Sequence, residues 1–132
     1  MLTWTPELSV HVREIDEQHQ KFIGLLNDLT ASIDHDGGKS AADEHLGALE
    51  DYALLHFATE EKYFEKFGYP GAQEHVEEHR RMLDQLRGYR RDLERGEDVI
   101  GVMFAFAANW LVDHLRKMDM KYGQWFNDHG LF

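Results

Sequence analysis

His56-Phe57-Ala58-Thr59-Glu60 is followed, after the break Gly68-Tyr69-Pro70-Gly71, by His75-Val76-Glu77-Glu78-His79. Each stretch holds two metal-capable side chains four residues apart. An α-helix turns about 100° per residue, so positions i and i+4 lie about 40° apart in projection. His56 and Glu60 therefore share one face of a helix, and His75 and His79 share one face of another. Glu61 stands about 140° from His56 and is the poorer candidate. His19 upstream, and His114 with Asp119 downstream, complete a set of five imidazoles and two carboxylates. The set is spread over four predicted helices, and the reading is that it converges on a pair of metal ions.

The 132 residues suit one domain, 1–132, large enough to bury a core without disulfides. There is no cysteine, which removes thiolate metal sites, iron–sulfur clusters and thiol catalysis. Glu7, His11, Arg13 and Glu14 interrupt any apolar run of signal-peptide length. No segment approaches the roughly 18 apolar residues of a membrane span, so the expectation is a cytoplasmic protein without membrane insertion. The net charge of −11 repels phosphate backbones and anionic lipid, which argues against nucleic acid as a partner. The arginines between Arg80 and Arg95 alternate with acids at helical spacing, the pattern of a solvated face.

Residues 1–15 lack a lasting period and are predicted to form an extended arm. Trp4, Leu8, Val10 and Val12 would pack down, with Glu7, His11 and Arg13 facing water. The first helix is expected from Asp16, a good N-cap residue, to Gly37-Gly38. Its inward stripe is Phe22, Ile23, Leu26, Leu29 and Ile33, with His19 on the same face. The second should start at Ser40, with Asp43 completing a capping-box-like pair, and stop at Gly68–Gly71. Leu49, Tyr52, Ala53, His56, Glu60, Tyr63, Phe64 and Phe67 would face inward. The third should run from Ala72 to Glu94, with His75, Val76, His79, Met82, Leu83, Leu86 and Leu93 inward and Gly96 as its stop. A strongly apolar fourth helix should begin near Asp98, and a short terminal helix should form within Met118–Phe132. Four such helices with short connections predict an all-α, antiparallel up-down-up-down four-helix bundle.

A bundle interior lined by unpaired histidines and carboxylates would cost several kcal/mol, and bound metal removes that cost. Imidazole and carboxylate without thiolate suit iron, manganese, zinc or copper. Seven protein ligands are too many for one ion and suit two, with Glu60 and Asp119 as the bridges. His114 and Asp119 are five apart, which is not a shared α-helical face. Both reach one ion only if the helix ends or changes its winding between them, and local π-type winding often accompanies function. His11, His35 and His129 read as surface histidines, and His45 as a polar residue toward the bundle end.

The combined pattern resembles the hemerythrin family, and its single-domain bacterial members in particular. The likeness covers nearly the whole chain. Its marks are Trp4, Ile15-Asp16-Glu17-Gln18-His19, His56-x-x-x-Glu60, His75-x-x-x-His79 and Trp110-Leu111-x-x-His114-x-x-x-x-Asp119. One departure is His11, where many relatives carry a small residue after the valine; a change in the arm is expected from it, not in the ligands.

The resemblance implies a non-haem centre of two iron ions, oxo- or hydroxo-bridged, that binds O2 reversibly. It assigns His75, His79 and His114 to a coordinatively full iron and His19 and His56 to one with an open position, with Glu60 and Asp119 bridging. It also suggests an apolar O2 pocket from Phe57, Trp110, Leu111 and Leu115, with Phe22. These are large apolar side chains flanking the ligands, and the sequence offers no uncommitted inward acid, base or nucleophile. Both points favour a carrier over an enzyme, for oxygen storage, delivery or scavenging, with an unidentified protein recipient. The alternatives are an O2 or redox sensor acting through a separate partner, or a di-iron oxidase, peroxidase or nitric-oxide-handling protein.

Overall fold

The apolar periodicities are realised as helices α1 (Arg13–Ala31), α2 (Gly38–Phe67), α3 (Ala72–Glu94), α4 (Ile100–His114) and α5 (Met120–Asp128). The computed structural model describes residues 2–31 and 38–132, with side chains of the second stretch from Asp43 onward. No strand occurs among the described residues. Ile33, His35 and Gly37 lie outside them, and so does the Ser40 side chain of the expected capping pair.

Helices α1 to α4 form the bundle: α1 packs on α2, α2 on α3 and α3 on α4, and α4 closes the ring against α1. The architecture is the expected four-helix bundle. Its core draws on the predicted stripes, with Phe22, Leu26, Leu29, Leu49, Ala53, Met82 and Leu86 all buried, and α4 adds buried Met103, Ala107 and Leu111. The apolar richness of α4 is only partly internal, since Val102 is 60% exposed.

Glycines set two of the helix ends. Gly68 (φ 71°) and Gly96 (φ 87°) take the left-handed conformation just past α2 and α3. The Tyr69 amide then donates to the Phe64 carbonyl, and the Glu97 amide to the Asp92 carbonyl, satisfying last-turn acceptors. Three starts differ from expectation, the second helix beginning at Gly38, two residues before Ser40. Helix α1 begins at Arg13, because the Asp16 amide already donates to the Val12 carbonyl at 2.9 Å. Asp16 therefore sits inside the first turn, where its carboxylate accepts hydrogen bonds from the Ser9 hydroxyl and from the Val10 amide at 2.8 Å. It ties the arm to the helix instead of capping the helix. Helix α4 begins at Ile100, with Val99 as its cap residue, not at Asp98.

The arm carries one 3-10 turn, Pro6–Leu8, and buries Leu8, Val10 and Val12, while Glu7, His11 and Arg13 are exposed. It bends at His11, a non-glycine residue at φ 61°. The bend lays Val10 across α5 at Gly123, where a Cβ would stand 2.2 Å from the Val10 carbonyl oxygen. The arm can cross here only because residue 123 has no side chain.

The C-terminal helix is reached without a break. His114 ends α4, Leu115–Asp119 form a π turn, and α5 follows directly. The turn is closed by the Met120 amide donating to the Leu115 carbonyl, five residues back. Tyr122 and Phe126 of α5 are fully buried and pack with Phe64 and Tyr69 in an aromatic layer below the site.

Replacing Gly123 with Ala should force the arm off α5. The expected loss is about 1–3 kcal/mol of unfolding free energy, the usual scale for overpacking a fitted contact. Chemical denaturation of the two proteins checks it.

Candidate metal centre

Every bundle helix contributes to one buried cluster. His19 comes from α1, His56 and Glu60 from α2, His75 and His79 from α3, His114 from the end of α4, and Asp119 from the end of the π turn. All seven are buried, and His19, Glu60 and Asp119 are 0% exposed. The two i, i+4 pairs face inward as the helical spacing requires. Glu61 stays outside the cluster, and Asp119 shares the His114 face through the π turn.

The histidines fall into two sets, and each carboxylate spans both. Glu60 Oε1 touches His56 Nε2 and lies 3.8 Å from His19 Nε2. Its Oε2 lies 3.1 Å from His75 Nε2 and 3.7 Å from His79 Nε2. Asp119 Oδ2 lies 3.0 Å from His19 Nε2, while its Oδ1 lies 2.8 Å from His75 and 3.0 Å from His114. One set holds His19 and His56, the other His75, His79 and His114. Every histidine turns Nε2 inward.

These distances are short, yet the contacts are not aligned hydrogen bonds. None of the four carboxylate oxygens, nor Nε2 of His19 or His79, has a hydrogen-bond partner. Buried polar atoms that converge without satisfying one another fit cations placed among them. The geometry resolves two groups of ligand atoms, Glu60 with His75, His79 and His114, and His19 and His56 with Glu60 and Asp119. The donor set fits metal of the iron, zinc and copper kind.

Charge explains how the metal-free cluster compensates itself. Burial alone would lower the His19 and His75 imidazoles, but the adjoining Asp119 and Glu60 carboxylates outweigh it and raise both from 6.5 to about 9. Burial lowers His79 to about 3. Burial would raise Glu60 and Asp119, but the surrounding histidines hold both well below the usual carboxylate range. Protons thus occupy part of the cluster when metal does not.

The side chains around the cluster are mainly apolar or aromatic. Phe22, Phe57, Leu111 and Leu115 are buried and Trp110 is half-buried. Phe57 stacks on His79 at 3.8 Å and lies 5.8 Å from His56, so it touches both histidine sets. Trp110 stacks on His114 at 4.3 Å and meets Phe57 edge-on at 5.9 Å. Surface depressions of about 310 and 250 Å3 reach the three-histidine side, the first lined by Trp110 and His114, the second by Phe57 and His79.

Two neighbours of the cluster were given no role by the sequence. Tyr122 is fully buried with its ring 5.4 Å from His75, and burial pushes its phenol well above the usual range. Gln18 Oε1 lies 2.7 Å from His56 Nδ1. No periodicity marks either residue, because packing between helices decides both contacts. Of the remaining histidines, His11 and His129 are exposed and His45 is half-buried, and none of them joins the cluster.

A profile described as the hemerythrin HHE cation binding domain matches residues 10–126. The chain belongs to the hemerythrin family. It is 32% identical over 127 residues to a bacteriohemerythrin of Methylococcus capsulatus, covering 93% of this chain and 95% of that one. A bacteriohemerythrin of Stenotrophomonas maltophilia is 30% identical over 129 residues, covering 98% and 84%. A solved wild-type hemerythrin superposes with a TM-score of 0.87 at 29% identity, covering 94% of this chain and 96% of that one. Among the described residues, no helix of this chain is long and apolar enough to cross a membrane.

His19 and His75 give the metal-free protein a definite pH dependence. Both are raised on folding, so their contribution to stability is complete below about 6.5 and is lost as pH rises through about 9. Between those limits the metal-free protein should lose stability steadily as pH rises. The iron-loaded protein should not, because metal replaces those protons. Thermal unfolding of both forms across this range checks it.

Proposed function

We propose that the chain is a single hemerythrin-like domain, 1–132, that binds O2 reversibly at a non-haem di-iron centre. The observation that supports this best is the division of both carboxylates, one oxygen each, between a set of three histidines and a set of two. His75, His79 and His114 would hold one iron, and His19 and His56 the other, with Glu60 and Asp119 bridging. When bound, the oxo- or hydroxo-bridged pair supplies a reversible two-electron reservoir for O2. With equal bridging on both sides, the two-histidine side is one protein ligand short, and that is where a small ligand would enter.

The rest of the work falls to the protein. The helices fix each imidazole with Nε2 inward, so the site needs little rearrangement when metal arrives. Phe57, Leu111, Leu115 and Phe22, with Trp110 at the edge, form an apolar wall that keeps water and free acid from the bound gas. Five neutral imidazoles and two carboxylates leave a pair of divalent ions with net positive charge, which disfavours the more oxidised states used by oxidases. Transport, storage or scavenging of O2 follows more naturally than turnover.

The test is to add air to the anaerobic, iron(II)-loaded protein and follow its visible spectrum. A new absorption band that disappears when O2 is removed is the expected result. Prompt conversion to the oxidised form with release of peroxide, or oxidation of an added donor, would make the protein an oxidase or peroxidase. Replacing Leu111 with Asn should admit water and speed loss of the oxygenated form by about tenfold or more, equivalent to lowering its barrier by about 1.4 kcal/mol. The decay of the same absorption band measures that rate.

A further inference from the structure

Gln18 lies on α1 beside the ligand His19, but its side chain serves a ligand on the neighbouring helix. His56 Nδ1 is 2.7 Å from Gln18 Oε1. Gln18 Nε2 donates to the Thr59 hydroxyl oxygen at 3.2 Å, and that hydroxyl donates to the Leu55 carbonyl at 3.0 Å.

The direction of this relay follows from proton counting. Thr59 has one hydroxyl hydrogen, and the Leu55 carbonyl, an obligate acceptor, takes it. The Thr59 oxygen can then only accept from Gln18, which fixes the amide with its NH2 toward Thr59 and its carbonyl toward His56. A carbonyl cannot donate, so His56 carries a hydrogen on Nδ1. Its Nε2 lone pair is thereby free for the cluster, and the ring plane is set. By contrast, Nδ1 of His19, His79 and His114 has no hydrogen-bond partner. The two-histidine side, the one with fewer protein ligands, therefore holds a histidine whose outer nitrogen is tied to a side chain on another helix.

We propose that Gln18, held by Thr59, is a positioning residue that fixes the tautomer and orientation of His56 and sets its donor strength toward the metal. This rests on the di-iron reading above. The outer partner of a ligating imidazole controls how much electron density its inner nitrogen gives. A neutral amide oxygen makes His56 a weaker donor than a carboxylate at the same place would, and a stronger one than no partner. The effect is confined to one of the two metal positions.

The experiment uses the full chain, metal-free and iron-loaded, as wild type and as Gln18→Glu, Gln18→Leu, Thr59→Val and Thr59→Ser. NMR of the metal-free protein should show a slowly exchanging His56 Nδ1 proton that is lost in Gln18→Leu. In the iron-loaded forms, the reduction potential should fall in Gln18→Glu and rise in Gln18→Leu, with the visible band moving in opposite directions. Thr59→Val should shift toward Gln18→Leu, and Thr59→Ser should restore wild-type values. A merely structural role for Gln18 would move both Gln18 variants the same way. Iron-loaded variants that share the wild-type potential would overturn the role of Gln18 and leave the di-iron reading standing. A protein that takes up no iron would overturn that reading and this one with it, even with the Nδ1 proton in place.

Discussion

Two carboxylates, Glu60 and Asp119, are buried at the centre of the bundle with no hydrogen bond to any of their four oxygens. Taking an ionised carboxylate out of water costs several kcal/mol unless positive charge is supplied close by. Here every helix of the bundle supplies something that can carry or bind that charge. In the metal-free chain it is the protonated His19 and His75; in the loaded protein it would be the metal. The five imidazoles, their inward Nε2 atoms and the site's burial follow from the same need. Removing either carboxylate would disturb both histidine sets at once, since each carboxylate faces both.

Around this charged centre the chain is built for rigidity. The aromatic layer of Phe64, Tyr69, Tyr122 and Phe126 supports it from one side, while Phe57 and Trp110 stack directly on the clustered rings of His79 and His114. Stacking fixes ring planes that hydrogen bonds leave free, which matters for His79 and His114, whose outer nitrogens have no partner. The arm adds a further restraint. Clamped to α1 by Asp16 and laid across α5 at Gly123, it ties the first bundle helix to the helix that follows Asp119. Two ends of the chain that lie outside the cluster thus stabilise the segment that carries Asp119.

Much of this was legible in the residues. The i, i+4 pairs identified faces of α2 and α3, because a helix turns the same way wherever it lies. The stripes at three- and four-residue steps named most of the core, and Gly68 and Gly96 marked helix ends for steric reasons. The five-residue step from His114 to Asp119 required abnormal winding or a helix end, and the structure chose a π turn in a helix that continues. Less legible were the starts of α1 and α4. Asp16 has the chemistry of a cap, but the arm offered its carboxylate better donors in Ser9 and Val10. A sequence does not reveal which of two local partners a short polar side chain will take.

The sequence by itself determined the helices, their inward faces and the identity of the seven clustered side chains, because these depend on local periodicity and on the type of each donor. How the helices pack settled the rest: which rings Phe57 and Trp110 cover, and that Gln18 of one helix meets His56 of the next. Those are facts about distances between helices, set by how their side chains interlock, and spacing along a single chain carries no record of them.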